Sequence, residues 1–129
     1  MRARFSREEY ARATSPWVFT YQDYLIPGLA ESAITRFLED PYFLPANVYA
    51  RQVEAARSHF TEDRLSQITA PTLIVAGDED LMTPMRFART LHERIPGAKL
   101  AVIRGGGHAL VLTHAEEFNR VVLPFLKES

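Results

Sequence analysis

The stretch from Pro71 to His108 admits few folds. Thr72-Leu73-Ile74-Val75-Ala76 is a short run of apolar and β-branched residues, broken by Gly77-Asp78-Glu79-Asp80. Such a run, bounded by turn residues, predicts a strand buried on both faces. Thr83-Pro84 reads as a helix start, with Thr at the N-cap and Pro at the first helical position, where a missing N–H costs nothing. Phe87, Ala88, Leu91 and Ile95 then recur at helical spacing, and Pro96-Gly97 stops the helix. Lys99 to Ile103 predicts a second strand, ended by Gly105-Gly106-Gly107. A strand–helix–strand unit makes the two strands parallel, joined by a right-handed crossover. Asp80 and His108 both follow the carboxyl ends of those strands, the edge of an open α/β sheet where ligands bind.

These pieces, PTLIVAGDED, then TP opening a helix, then IPGAKLAVIRGGGH, then an apolar helix containing Phe118-Asn119, resemble the C-terminal part of the α/β-hydrolase fold. The likeness is specific over residues 68–126 and loose upstream. It implies an α/β fold class: two parallel strands with flanking helices, plus an N-terminal helical cap segment. Residues 1–44 fall where that family inserts its cap, and 45–129 correspond to the C-terminal part of the core. In the family the acid of a catalytic triad sits in a G-x-x-D turn, which matches Asp80 with Gly77 as the glycine. The family histidine follows the last strand, which matches His108. The activity implied is hydrolysis of an ester, a lactone or a related small apolar substrate, with no cofactor.

The third member of that triad has no match. The family nucleophile sits on a G-x-S-x-G elbow ahead of the acid. The six serines here, Ser6, Ser15, Ser32, Ser58, Ser66 and Ser129, all lack the flanking glycines, and there is no cysteine. The oxyanion loop is absent too. The expectation is therefore a C-terminal portion of a hydrolase, truncated before its nucleophile and inactive alone.

A chain of 129 residues suits one domain, and a formal net charge of −1 gives no reason to expect nucleic acid or an anionic membrane as partner. Absence of cysteine rules out disulfides and thiolate metal sites, and sits with an expected cytoplasmic location. The start, MRARFSREEY, is basic without an apolar segment, so no signal peptide is expected, and no apolar run approaches the roughly 20 residues that span a bilayer. No His pair has H-E-x-x-H spacing, so no metal site is expected. The glycines at 105–107 fit neither dinucleotide nor phosphate-loop patterns; a tight turn is their predicted role.

Elsewhere the signals are local. Ser6 and Glu9 match a capping box, opening a helix to about Ala13 that Ser15-Pro16 should end. Trp17 to Ile26 is dense in aromatics, which either pack a cap against the sheet or line an acyl or aryl pocket. Leu29–Glu39 and Asn47–Phe60 predict helices, and Thr61–Thr69 a polar lead-in. Thr113 and Glu116 match a second capping box, before a helix that Pro124 should kink or end near Val122. His114 is expected on the surface of that helix's first turn, and His59 and His92 on helix faces.

A triad histidine takes and returns the nucleophile's proton, while the acid holds its tautomer and stabilises the imidazolium. Asp78 and Glu79 compete with Asp80 for the acid's place, and each of these residues has an ordinary alternative: a helix-capping carboxylate, a surface turn histidine. The alternative function is non-catalytic, a half-fold acting as an oligomerisation or interaction module. Both readings leave an apolar strand edge open, so association through it, most simply as a homodimer, is expected.

Overall fold

A computed structural model describes residues 5–128; Met1 to Arg4, part of the basic start, lie outside them. The described chain forms helices α1 (Arg7–Val18), α2 (Tyr21–Leu25), α3 (Leu29–Glu39) and α4 (Ala46–Ser58), then a 3-10 turn (Glu62–Gln67). Strand β1 (Leu73–Gly77), α5 (Met85–Arg94), β2 (Lys99–Ile103), α6 (Leu110–Thr113) and α7 (Ala115–Glu128) follow. The strands pair in parallel, Leu73 opposite Lys99 through Gly77 opposite Ile103. This is the expected α/β unit, two parallel strands with flanking helices.

Its core is small. Leu65, Ile74, Ala88, Ile95 and Ala98 pack together, with Ala76, Met85, Leu91 and Leu100 against them. Ile103 is completely buried. Burying such a side chain contributes about 1.5–3 kcal/mol. Leu65 comes from the 3-10 turn, which the polar sequence around it did not reveal. The strands are not buried on both faces as their sequence predicts: Val102 is 46% exposed, and Leu123 and Leu126 on α7 are 52% and 63% exposed. Two strands leave much of an apolar sheet without cover.

Several helix boundaries differ from expectation, two of them at a proline. Helix α1 does not end at Ser15-Pro16 but runs to Val18 with Pro16 inside. Pro16 has no N–H to offer the Arg12 carbonyl, and the Ser15 hydroxyl donates to that carbonyl instead, at 3.1 Å. Helix α7 likewise continues through Pro124 to Glu128, so of the two expected outcomes, a kink or an end near Val122, the end does not occur. The carbonyl that loses its partner belongs to Arg120, an exposed residue. The predicted cap at Thr113 is different: Thr113 closes α6, and its hydroxyl lies 2.8 Å from His114 Nδ1. His114 therefore sits between α6 and α7, half-buried, rather than on the first turn of α7. His59 follows the end of α4, while His92 is exposed on α5.

The N-terminal helices hold together by other means. Arg7 stacks over the Phe37 and Phe43 rings and donates to the carbonyls of Phe37 and Asp40, the last at 2.6 Å. That closes the C-terminal end of α3 with a cation, where the helix dipole favours one. Helix α2 carries a capping box that sequence reading passed over. Asp23, 2% exposed, accepts from the Thr20 N–H at 2.8 Å and the Thr20 hydroxyl at 3.0 Å.

Candidate active site

The crossover brings the ends of β1 and β2 together, and glycines set how closely. A Cβ on Gly77 would lie 2.0 Å from the Gly106 carbonyl oxygen, so only glycine fits there. The Glu79 N–H donates to that same oxygen at 3.1 Å, and the Asp78 N–H donates to Ile103 O at 3.3 Å. The turn after β1 is thus laced to the turn after β2 by backbone contacts alone.

The three carboxylates of this turn part company. Asp78 turns toward the β2 turn, where its Oδ1 accepts the Gly105 N–H at 2.6 Å. Asp80 reaches His108: its Oδ2 lies 3.0 Å from His108 Nδ1. Glu79 is exposed. A carboxylate only accepts, so the contact puts the ring proton on Nδ1 and leaves Nε2 to accept. The Asp80 side chain is 7% exposed, the His108 side chain 39%.

Asp80 is held on every side. Its Oδ1 accepts the N–H groups of Met82 and Thr83, both at 2.8 Å. Its Oδ2 accepts the Thr83 hydroxyl at 2.7 Å as well as the His108 ring. Burial alone would push this carboxyl's pKa up; the donors from Thr83, His108 and Met82 outweigh it and hold the pKa below the usual carboxylate range. Thr83 is therefore not the N-cap of α5. That place falls to Pro84, whose carbonyl accepts the Phe87 N–H at 2.9 Å. The hydroxyl predicted to cap the helix serves the carboxylate three residues earlier. The sequence held the signal, D-x-x-T, but Thr-Pro reads more readily as a helix start.

Helix α1 reaches this site as well. The Ala109 N–H, next to His108, donates to Val18 O at 3.1 Å. A Cβ on Gly107 would lie 2.8 Å from Thr20 Cγ2, so the histidine turn seats directly on the α1–α2 corner. Between α1, α3 and the two turns lies a cleft of about 640 Å³. Leu81 and Met82, following Asp80, line it with Ala109, and Ala11, Trp17 and Ile34 contribute from the helices. Among the described residues no group of three His, Asp or Glu is placed to hold a metal. No described helix is long and apolar enough to cross a membrane.

Residues 31–129 match the sequence profile of the TAP-like protein family of α/β hydrolases. A Klebsiella pneumoniae 2-hydroxy-6-oxononadienedioate/2-hydroxy-6-oxononatrienedioate hydrolase is 34% identical over 121 residues, 92% of this chain and 41% of that one. RutD of Stutzerimonas stutzeri, assigned as a carbamate hydrolase, is 34% identical over 87 residues, 67% of this chain and 33% of that one. The enol-lactonase of Burkholderia xenovorans LB400 superposes with a TM-score of 0.82 over 97% of this chain and 46% of its own, at 22% identity, which speaks to the fold alone. The chain thus spans between a third and a half of the length of the proteins it matches.

Proposed function

The chain belongs to the TAP-like family of α/β hydrolases, and on that premise we propose that Asp80 and His108 are the acid and base of a cytoplasmic hydrolase acting on an ester, a lactone or a related small apolar substrate. The observation that supports this most is the 3.0 Å contact between Asp80 Oδ2 and His108 Nδ1, made from the ends of two adjacent strands. With the proton fixed on Nδ1, Nε2 is free to take a proton from a nucleophile and return it to the leaving group. Residues 1–44 act as the cap over this pair, and 45–129 supply the C-terminal part of the core.

These 129 residues hold no nucleophile elbow, so by themselves they should hydrolyse p-nitrophenyl butyrate no faster than a His108→Ala variant. A burst of p-nitrophenol from an acyl-enzyme would contradict that. The deciding experiment is to read the coding DNA upstream of Met1 for an in-frame G-x-S-x-G. A chain extended to include such an elbow should be active, and His108→Ala in it should lose about 10²–10⁴-fold in rate. Full activity in that variant would overturn the assignment.

A second reading draws on the sheet. Its exposed apolar surface, including Val102 and the outer face of α7, suits association through the open edge, with this chain as an interaction module. Light scattering at several concentrations tests it: a dimer supports association, and a cooperative monomer near 14.7 kDa argues against it.

A further inference from the structure

We infer that the cleft between α1, α3 and the Asp80 turn receives the uncharged, apolar part of a ligand and rejects a carboxylate-terminated one. The inference builds on the proposed hydrolase reading, which places the reacting bond at His108 and so leaves this cleft for the rest of the substrate.

The cleft's volume of about 640 Å³ falls in the range of small-molecule sites, roughly 300–1,000 Å³. None of the described side chains lining it is charged. Its two aliphatic hydroxyls, on Thr14 and Ser15, are already engaged. Thr14 donates to Tyr10 O at 2.8 Å, and Ser15, which donates to Arg12 O, also pairs with the Tyr24 hydroxyl at 2.7 Å. The cation beside this region, Arg7, does not line the cleft: its Nη2 donates to the carbonyls of Phe37 and Asp40 and its guanidinium lies over the Phe37 and Phe43 rings, while its Nε is buried without a partner among the described residues. Glu79 lines an adjoining hollow beside Gly107, which shares Trp17, Val18, Phe19 and Leu81 with the cleft. A carboxylate entering the cleft would give up its water and meet no charged partner among the lining side chains, whereas a methyl group in the same place would lose nothing.

That sets this chain apart from the Klebsiella relative, whose named substrates carry two carboxylates.

The cleft contains its own reporter, because Trp17 lines it and is the chain's single tryptophan. The probes are 2-nonanone and 8-oxononanoate, which share nine carbons and a ketone and differ only in a terminal methyl or carboxylate. Titrated into the 129-residue chain, 2-nonanone should give a saturable change in Trp17 emission, and 8-oxononanoate should bind about a hundredfold more weakly or not at all. Thr14→Lys, which brings an ammonium to the cleft wall, should narrow that gap at least about tenfold. Ala33→Phe, filling the cleft, should abolish the response to 2-nonanone. The readout is binding in a cleft that His108 does not line, so a failed hydrolysis test leaves this binding test standing. No response to either probe, equal affinity for both, or tighter binding of 8-oxononanoate would each overturn the inference.

Discussion

The paired turns after β1 and β2 and the four N-terminal helices stand side by side, yet they hold their shape differently. In the turns, backbone meets backbone: the Gly106 oxygen occupies the space where a Gly77 side chain would be, and nothing there can yield. In the helices, side chains fill in for what the backbone lacks. The Ser15 hydroxyl takes the carbonyl that Pro16 abandons, and Arg7 closes α3. Helix α4 has no buried residue at all, although Val48, Val53 and Ala56 lie along it. A local break signal such as Ser-Pro is negotiable where a neighbouring side chain can substitute. A glycine required by a backbone contact is not.

That contrast ranks the responses to mutation. The largest loss should come from Ile103→Ala, which opens a cavity at a completely buried site and costs about 2–5 kcal/mol in urea unfolding. Val53→Ala on α4, at a side chain 40% exposed, should stay within about 0.5 kcal/mol. Equal losses would break the comparison. Gly77→Ala comes next, since its methyl group must displace the Gly106 carbonyl; about 1–3 kcal/mol in thermal unfolding is expected, with the two turns forced apart. Asp23→Ala removes the buried half of the α2 capping box and should cost about 1 kcal/mol while leaving the strands unchanged.

The smallest effect concerns acid. Asp80's pKa is lower in the folded chain than in the unfolded one, so its ionised form stabilises the fold at pH values above the unfolded carboxyl's, about 4. That contribution disappears as pH falls through the folded-state value. Asp80→Asn should flatten this part of the stability profile below about pH 4 and leave its shape at neutral pH alone. An unchanged acid slope would mean that the donors around Asp80 do not favour its charged form.

Much of the site was legible because its signals were local and agreed with one another. The apolar runs at 72–76 and 99–103, the breaking glycines, and an acid and a histidine at matching strand ends all pointed to one arrangement, and Asp80 and His108 do meet. What stayed hidden depended on contacts distant in sequence or on a residue with two plausible jobs. Nothing near Gly107 announces that Thr20, 87 positions earlier, packs against it. Nothing in Thr83-Pro84 says that the hydroxyl turns back to Asp80 rather than forward to α5. The 3-10 turn brings Leu65 into the core from a segment whose composition reads as solvent-facing.

The central claim is that Asp80 fixes the proton of His108 on Nδ1, and ring nitrogen NMR of the neutral imidazole reads that directly. In ¹⁵N-histidine-labelled chain, His108 should show a protonated Nδ1 and an unprotonated Nε2, with Asp80→Asn losing that preference. A His108 ring protonated on Nε2 in the unmodified chain, or one that Asp80→Asn leaves unaltered, would contradict the account.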